Sequence, residues 1–322
     1  MSPRVSVILS CFNCETYIAE AIDSVLSQTY QDYEIIVIND GSTDKSGEII
    51  EYYANKHQKK IRYIVQENQG QEAALNHGFS LAQGEYLAFI DSDDIWYPDK
   101  LVKQVNILSN DPGKRVGLVY TYIDHLNADP TRRSRNAVTI GVRGQAFKGL
   151  FTGAFATMSS IIVPRYVFVK VGGFNPRFSF CCDYDLMLRI AAAGYDFEYI
   201  PEVLTTRRIH SGNKTRSQML SNINNREMLL EIAGQYAEKI REYNVDVDYR
   251  MALLDLQLAW HYFVTGNLKG VRRTLIPVLR HYPSLVLRSK RYMAYYLLSF
   301  FPASWVKRLK TIPFLAPIFK GK

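Results

Sequence analysis

The sequence is poor in cysteine and in long apolar stretches, and each shortage excludes a class of protein. Four cysteines in 322 residues cannot form the disulfide framework of a small secreted domain, which favours a reducing compartment. No stretch reaches the roughly 18 uncharged, apolar residues that a membrane-spanning helix needs. The first apolar run, residues 5–9, is too short for the core of a secretory signal peptide. These shortages indicate an ordinary globular protein, with 47% hydrophobic and 22% charged residues.

Acidic residues are missing from one end of the chain. Residues 256–322 hold 12 Lys and Arg residues and no Asp or Glu, whereas residues 1–255 hold 27 basic and 31 acidic residues. The net charge of +8 therefore divides into a C-terminal segment of charge +12 and a body of charge −4. This asymmetry predicts a near-neutral body with a cationic extension.

Two of the four cysteines, Cys11 and Cys14, have C-x-x-C spacing. That spacing occurs in zinc ligand pairs, in redox dithiols and in proteins where it has no chemical role. Cys181 and Cys182 are adjacent and do not supply a second C-x-x-C pair, which argues against a four-thiolate zinc site. We therefore expect the cysteines to be small apolar side chains.

Apolar strands alternate with amphipathic helices through the first 100 residues. Strands are predicted at 5–9, 34–38, 61–66 and 86–90, and helices at 15–28, 45–57 and 72–82. Asn13 is the expected N-cap of the first helix. The alternation predicts parallel strands joined by crossover helices, an α/β sandwich. Ligands of such sheets bind at the carboxyl ends of the strands.

The rest of the chain has weaker patterns. Strands are predicted at 116–122 and 158–163 and a helix at 184–193, while residues 124–145 are predicted to be a variable insertion or a mobile loop. From about residue 218 the pattern is helical, and residues 251–281 are predicted to form a helical hairpin.

Two acidic turns follow predicted strands. Asp91, Asp93 and Asp94 come directly after the fourth strand, and Asp40 and Asp44 follow the second. Clustered carboxylates repel one another unless a cation is present, and hard oxygen ligands suit Mg²⁺ or Mn²⁺. Each turn taken alone is equally compatible with a solvated turn or with a cap of the next helix.

Two further groups of residues complete the polar pattern. Asp183 and Asp185 lie at a predicted helix start, where the helix dipole favours acidic residues in any case. His210 follows Arg207 and Arg208; it is either a structural histidine or part of a metal–diphosphate site whose phosphate charge the arginines neutralise. Together the acidic turns predict an anionic pocket for a metal ion and a phosphate-bearing ligand.

The sequence resembles the family-2 inverting glycosyltransferases of the GT-A fold over about residues 4–215. The resemblance rests on seven motifs in order: VSVILSCFN, QTYQDYEIIVINDGSTD, ENQGQEAALNHG, FIDSDDIWYPDKL, VGGFNPRF, CDYDLMLRIAAAG and RRIHSG. It implies a nucleotide-sugar-binding α/β/α sandwich over residues 1–217, with a donor half to about residue 100 and an acceptor half over 101–217. A basic helical extension is expected over residues 218–322.

The resemblance implies donor-binding roles for residues that match the motifs. The nucleotide base is expected against Ser10, Phe12 and Asp40, with Asp44 nearby, and the ribose against Asp91. The turn and helix beside the donor contribute Asn68, Gly70 and Asn76.

The resemblance also implies the metal and the acceptor side. Asp93 would bind Mg²⁺ or Mn²⁺, and His210 would complete the metal or phosphate contact. Asp183 would be the general base, with Asp185 as the second candidate. Acceptor contacts are expected at the turn Gly172, Gly173 and Phe174.

These roles describe an inverting transfer, which needs a base for the acceptor hydroxyl and charge neutralisation on the leaving diphosphate. The expected reaction moves a sugar from a nucleotide-diphosphate donor to a hydroxyl of a polysaccharide or lipid-linked glycan. Two positions depart from the family pattern. Phe12 replaces a tyrosine in the opening motif, and Cys182 replaces the glutamate before the base, which removes a neighbour of Asp183.

Two alternatives remain at this point. A metal-dependent nucleotidyltransferase would carry a glycine- and lysine-rich loop after the first strand, and residues 10–16 contain neither glycine nor a basic residue. A catalytically inactive module that binds a sugar nucleotide is compatible with the loss of glutamate at Cys182.

The basic extension ends in residues 284–322, where cationic residues alternate with aromatic ones. Such helices suit an anionic membrane surface, and the uncharged run 292–306 contains Pro302 and is interpreted as interfacial. The alternative is a helical domain that packs its apolar faces on the catalytic body. No nucleic-acid recognition motif accompanies the charge, so no nucleic-acid partner is expected. A cytoplasmic location is expected, with contact to the inner face of the cell membrane left open.

Overall fold

A computed structural model describes residues 3–127, 133–138, 141–153, 155–213, 217–302 and 305. Part of the predicted insertion at 124–145 lies outside the described residues, as do Lys307, Arg308, Lys310, Phe314 and Phe319 of the predicted membrane-facing segment. The chain forms two compact units, residues 1–216 and residues 217–322.

The first unit is built on one twisted sheet. Its strands are β1 (Val5–Cys11), β2 (Tyr33–Asp40), β3 (Ile61–Gln66), β4 (Tyr86–Asp91), β5 (Ile95–Trp96), β6 (Val116–Asn127), β7 (Arg133–Val138), β8 (Ile161–Pro164) and β9 (Asp196–Ile209). Their order across the sheet is β3-β2-β1-β4-β8-β6-β9-β5, and β7 pairs with β6. The strands β1 to β4 are parallel, as predicted, and β8 runs antiparallel to both of its neighbours.

Helices cover this sheet. They are α1 (Ile18–Leu26), α2 (Ser46–Lys56), α3 (Gln71–Leu81), α4 (Lys100–Ser109), α5 (Phe147–Thr152), α6 (Arg165–Lys170) and α7 (Cys182–Ala192), with short 3₁₀ turns at Met158–Ser160 and Pro176–Phe178. Every residue of β1 and β2 is buried, because helices pack on both faces of these largely apolar strands. The α/β class predicted from the alternating pattern is confirmed.

Three local predictions are wrong. Residues 124–127 and 133–138 of the predicted insertion or mobile loop belong to the paired strands β6 and β7. The other two predictions concern segments beside the acidic turns. Asn13 is not the N-cap of α1, which begins after Tyr17; Asn13 has a left-handed backbone (φ 50°), and its side-chain oxygen accepts from Thr43 N–H at 2.8 Å. The strand predicted at 158–163 begins only at Ile161, because residues 158–160 form a 3₁₀ turn in which the Ser160 side chain bonds the Thr157 backbone. Both segments contact the acidic turns, and tertiary hydrogen bonds outweigh the local pattern there.

The second unit is helical in the residues described. It contains α8 (Gln218–Gln235), α9 (Ala237–Glu242), α10 (Val247–Thr265), α11 (Leu268–His281), α12 (Pro283–Leu287) and α13 (Lys290–Leu298). The predicted hairpin is formed by α10 and α11, which Gly266 joins in a left-handed conformation (φ 81°) that suits glycine. Its core includes Phe263 and Tyr295, whose rings stack at 4.2 Å. Among the described residues, none of the helices combines the length and apolar character required to cross a membrane.

Candidate active site

A cavity of about 670 Å³ opens in the first unit where β1, β2 and β4 end. Five carboxylates line it, those of Asp40, Asp91, Asp93, Asp94 and Asp183, together with one arginine and one histidine. The remaining lining residues are Ser10, Cys11, Phe12, Asn13, Cys14, Asn68, Gly70, Gln71, Ser92, Thr157, Met158, Ser179, Phe180, Cys182, Arg207, His210, Gly212 and Asn213. The cavity therefore carries an excess of negative charge at neutral pH.

The acidic turn after β4 holds the densest group of carboxylates. One oxygen each from Asp91, Asp93 and Asp94 lies within 4.8 Å of the others. Asp91 accepts a hydrogen bond from Gln71 Nε2 at 2.7 Å. Burial, followed by the charges of Asp93 and Asp183, raises the pKa of Asp91 to about 7. The turn therefore favours either a shared proton or a bound cation.

Asp94 faces away from the open part of the cavity. Its side chain is 2% exposed, and its two oxygens accept from Ser159 Oγ at 2.6 Å and from Arg208 N–H at 3.1 Å. Burial, and then the charges of Asp93 and Asp91, raise the pKa of Asp94 well above its ordinary value. Because both oxygens are already engaged, Asp94 holds the turn in place and leaves Asp93 and Asp91 as the carboxylates available to an ion.

Asp93 is held by a segment from the far end of the first unit. Its Oδ2 lies 2.9 Å from His210 Nε2 and accepts from Asn213 Nδ2 at 2.8 Å. The Asn213 side chain also accepts from His210 N–H at 2.6 Å, which ties the two residues together. One carboxylate and one imidazole at this distance, with Asp91 beside them, match the ligands that Mg²⁺ and Mn²⁺ accept in proteins.

Arg208 anchors the same segment. Its guanidinium donates to the Asp93 backbone carbonyl at 3.1 Å, pairs with Glu20 and lies 4.8 Å from the centre of the Tyr17 ring. The Tyr17 ring in turn lies 4.6 Å from the His210 ring. These contacts connect α1, the acidic turn and the end of β9, so that His210 has a defined position beside Asp93.

A shelf of polar and aromatic residues lies at the end of β1 and β2. Phe12 is 50% exposed and leaves a ring face free for stacking. Asp40 is buried and accepts from Gln66 Nε2, Gln69 N–H and Gly70 N–H at 2.7–2.9 Å. These bonds hold the turn that carries Asn68 against the end of β2.

The two cysteines of the C-x-x-C pair are buried beside this shelf. Burial raises the pKa of Cys11 to about 11 and the pKa of Cys14 to about 12. Both thiols therefore stay protonated at neutral pH, and the Cys14 thiol donates to Ser92 O at 3.4 Å. Thiol redox chemistry needs a thiolate, so the buried, protonated pair is suited to packing.

Asp183 is the acidic residue of α7 that reaches the cavity. Its Oδ2 accepts from Met158 N–H at 3.2 Å and its Oδ1 from Tyr184 N–H at 2.8 Å. Burial raises the pKa of Asp183, although these N–H groups and the charge of Arg207 oppose the shift. A carboxylate with a raised pKa and free lone pairs on an accessible cavity wall is suited to accept a proton.

Six residues predicted for the site do not line the cavity. Asp185 is 1% exposed and forms a buried ion pair with Arg189, whose Nε and Nη2 donate to Asp185 Oδ2 at 2.9 and 2.5 Å. Asp44 accepts from Glu15 N–H and Ser46 N–H, both at 3.0 Å. Asn76 bonds the backbone N–H and C=O of Phe174, which lies next to Gly173 and the exposed Gly172 outside the cavity.

The other predicted site residues come together in the cavity: Ser10, Phe12, Asp40, Asn68, Gly70, Asp91, Asp93, Asp183 and His210. Sequence reasoning did not single out Gln71, Asn213 and Ser159, which contact the acidic turn directly. Of these three residues, only Asn213 is close in the sequence to a predicted metal ligand, since it lies three residues after His210. A lone serine or glutamine has no such signal, because these residue types are common on any surface.

Comparison with known proteins decides the family. The sequence model of the family described as glycosyl transferase family 2 matches residues 6–168 of this chain. An uncharacterized glycosyltransferase of Rickettsia typhi is 35% identical over 227 residues, which are 68% of this chain and 68% of that protein. This chain belongs to glycosyl transferase family 2.

Solved structures support the fold of this glycosyltransferase. The mannosyltransferase PcManGT from Pyrobaculum calidifontis, in complex with GDP-Man and Mn²⁺, has a TM-score of 0.60 at 20% identity and covers 97% of this chain and 88% of its own. S. aureus TarS 1-349 in complex with UDP-GlcNAc has a TM-score of 0.58 at 16% identity, covering 98% of this chain and 83% of its own. The glycosyltransferase therefore has the GT-A fold with a helical C-terminal region, as the sequence resemblance predicts.

Proposed function

We propose that this glycosyltransferase moves a sugar, with inversion, from a nucleoside-diphosphate donor to a hydroxyl of a polysaccharide or lipid-linked glycan. One observation carries the proposal. The cavity combines an acidic turn for a diphosphate-bound cation with Asp183, a separate carboxylate whose pKa is raised. A transferase of this type needs both functions within reach of one substrate pair.

The donor occupies the shelf at the end of β1 and β2. The ring of Phe12 stacks on the base, and Asp40 and Ser10 line the cavity beneath it. Asp91 contacts the ribose from the end of β4. The GDP-Man and UDP-GlcNAc in the two solved complexes support a nucleotide sugar as donor.

Asp93 and His210 would hold a divalent ion, Mg²⁺ or Mn²⁺. Such an ion would supply the positive charge that neutralises the leaving diphosphate. Asn213 and Arg208 keep the two ligands in place through the contacts described above. The Mn²⁺ of the mannosyltransferase complex supports such an ion, and the oxygen-rich ligand set here fits it.

Asp183 is the general base. It takes the proton of the acceptor hydroxyl while that oxygen attacks the anomeric carbon, and the bond from this carbon to the diphosphate oxygen breaks on the opposite side. The N–H groups of Met158 and Tyr184 fix the carboxylate and leave lone pairs for the incoming proton. Cys182 does not carry the charge of the glutamate it replaces, so Arg207 is the charged neighbour that tunes Asp183.

The acceptor enters beside the start of α7. Ser179, Phe180 and Met158 line the cavity there and leave a partly apolar wall next to Asp183. The predicted turn Gly172, Gly173 and Phe174 supports this wall from behind, since Phe174 packs on Phe89 and Phe168.

A panel of nucleotide sugars tests the donor and the reaction. We expect one nucleoside-diphosphate sugar to raise the melting temperature with Mn²⁺ and to be slowly hydrolysed without acceptor. An excess of chelator is expected to abolish both effects. Binding without hydrolysis or transfer for any donor and acceptor would instead support the inactive binding module, and full activity in chelator would exclude the metal role of Asp93 and His210.

We also propose that the helical unit contacts an anionic membrane surface, where a lipid-linked acceptor would be found. Four large apolar side chains in the last turn of α13 and just after it are 50–62% exposed: Leu297, Phe300, Phe301 and Trp305. The segment that carries them, residues 256–322, contains 12 basic residues and no acidic residue. Exposed aromatic residues among cations match the interface of a bilayer rich in acidic lipids.

Co-sedimentation with vesicles tests this contact in the full chain. The wild type is expected to bind phosphatidylglycerol vesicles, and the double variant Phe301→Ser/Trp305→Ser is expected to lose most of this binding. Phosphatidylcholine vesicles are expected to bind neither the wild type nor the double variant. Tyr52→Ser/Val65→Ser, which removes two side chains of equal exposure (62%) from the first unit, is the control. Equal binding by the three proteins would exclude the membrane contact.

A further inference from the structure

The 3₁₀ turn Met158–Ser160 contacts both chemical groups of the cavity. Its first residue donates from its N–H to Asp183 Oδ2 at 3.2 Å. Its second residue, Ser159, is fully buried and contacts the acidic turn on the other side. One rigid turn therefore lies between the proposed general base and the proposed metal ligands.

The Ser159 hydroxyl bonds both ends of the acidic turn. It accepts from Asp91 N–H at 3.0 Å and donates to Asp94 Oδ2 at 2.6 Å. A hydroxyl is the smallest side-chain group that donates and accepts at once, which alanine cannot do. Without it, the Asp91 N–H and an Asp94 oxygen would be buried without these partners beside two other carboxylates.

The Ser159 backbone extends the same connection. Its carbonyl accepts from Trp96 Nε1 at 2.7 Å and from Thr205 Oγ1 at 3.3 Å. Trp96 follows the acidic turn, and Thr205 lies on β9, which leads to His210. The elements that carry the proposed metal ligands are thus bonded to one residue of the acceptor half.

We propose that Ser159 is a positioning residue that sets the place of the Asp91–Asp94 turn, and thereby of Asp93, relative to Asp183. This inference rests on the proposed metal-assisted transfer. Its physical basis is that the four acidic groups Asp91, Asp93, Asp94 and Asp183 repel one another, so the turn keeps a fixed shape only if hydrogen bonds hold its ends. Ser159 holds both ends, and Met158 holds the base.

Ser160 offers a matched control. It is also fully buried in the same 3₁₀ turn, but its hydroxyl donates to Thr157 O at 2.8 Å and accepts from Thr157 N–H at 3.1 Å. Removing it weakens the turn without removing a bond to any carboxylate of the acidic turn. Ser159→Ala and Ser160→Ala therefore separate positioning of the turn from general stability.

The experiment measures Mn²⁺ binding directly, by the electron paramagnetic resonance signal of free Mn²⁺, to the full chain with UDP or GDP present. Ser159→Ala is expected to weaken Mn²⁺ binding roughly tenfold or more, because the turn that carries the metal ligands loses the hydroxyl that holds it, and to lower kcat for transfer. Ser160→Ala is expected to lower the melting temperature while its Mn²⁺ affinity stays at the wild-type value. If Ser159→Ala is not recovered folded, Ser159→Cys takes its place. Cysteine has a side chain of similar size, and its thiol forms only weak hydrogen bonds.

Equal Mn²⁺ affinities for the wild type and the Ser159 variant would overturn the positioning role alone, since the wild type would still bind and transfer. The same loss of Mn²⁺ affinity in Ser160→Ala would reduce Ser159 to a general structural residue. A wild-type protein that binds no Mn²⁺ with either nucleotide would overturn both this inference and the metal role in the proposed function.

Discussion

The imidazole of His210 and the carboxylate of Asp93 lie 2.9 Å apart, although 117 residues separate them in the chain. Gly212 N–H donates to His210 Nδ1 at 3.1 Å, so a neutral His210 carries its proton on Nε2 and donates it to Asp93. An ion bound through His210 Nε2 would require this proton to move to Nδ1, and the hydrogen bond from Gly212 N–H to Nδ1 would then be lost.

The first prediction concerns this pair. His210→Ala removes one proposed metal ligand and leaves Asp93 with Asn213, so we expect the Mn²⁺ concentration for half-maximal transfer to rise at least tenfold. Assays of transfer at increasing Mn²⁺ concentration and saturating donor measure this half-maximal concentration. His77→Ala is the control, because His77 bonds Gln66 Oε1 at 2.7 Å and does not line the cavity. An unchanged Mn²⁺ requirement in His210→Ala would exclude His210 as a ligand.

The second prediction separates the two acidic residues of α7. Asp183→Asn keeps the shape of the side chain but cannot take a proton, so kcat should fall by about 10²–10⁴-fold while donor binding persists. Single-turnover transfer and nucleotide-sugar binding by calorimetry measure the two effects. Near-normal turnover of Asp183→Asn would show that another group is the base.

Asp185→Asn is the matched variant for this experiment. It weakens the buried pair with Arg189, whose Nη1 and Nη2 also hold Val171 O and Gly173 O, and it should cost about 3 kcal/mol in the free energy of unfolding. The folded fraction is expected to keep most of its turnover. If Asp185→Asn lost as much turnover as Asp183→Asn without losing stability, transfer would depend on Asp185 as well as on Asp183.

The third prediction is the pH dependence of transfer. The base must be ionised, and because the pKa of Asp183 is raised, kcat should fall on the acid side at a higher pH than about 3.9, the value of an ordinary aspartate. Arg207→Gln removes a charge that lowers the pKa of Asp183, so it should move this acid limb to higher pH. The pH profile of kcat at saturating metal and donor measures the shift.

Asp91 also titrates in this cavity, and a second variant distinguishes it. Gln71→Met removes a hydrogen bond that lowers the pKa of Asp91 and does not contact Asp183. We expect this variant to leave the acid limb of kcat in place. A shift in Gln71→Met equal to that in Arg207→Gln would assign the limb to Asp91.

The fourth prediction concerns packing beneath the cavity. A Cβ on Gly78 of α3 would lie 2.6 Å from Ile8 Cγ2 on β1, so Gly78→Ala should destabilise the protein by about 1–3 kcal/mol. Gly149 of α5 has open space at the same position, and Gly149→Ala should be neutral or stabilise by about 0.5–1 kcal/mol. Urea unfolding of both variants measures the difference, and equal stabilities would contradict the close approach of α3 to β1.

The strands and the acidic turn after β4 were predictable from the sequence. Continuous uncharged runs form buried parallel strands, and polar residues that follow such strands come together at one edge of the sheet. For that reason the pattern predicts Asp40 and Asp91 at one edge of the sheet, and the family resemblance adds Ser10. All three line the cavity.

The sequence by itself determined the α/β class, the family resemblance and the residue types of the site, because these depend on local periodicity and on motifs read in order. The tertiary structure alone decided which of Asp183 and Asp185 reaches the cavity, that Ser159 and Asn213 hold the acidic turn, and that the C-x-x-C thiols remain protonated. The physical reason is that burial and hydrogen-bond partners set these properties. Ser159 precedes β8, which pairs with β4, and Asn213 follows β9, which pairs with β5 and β6. Both residues contact the acidic turn although more than 60 residues of chain separate them from it.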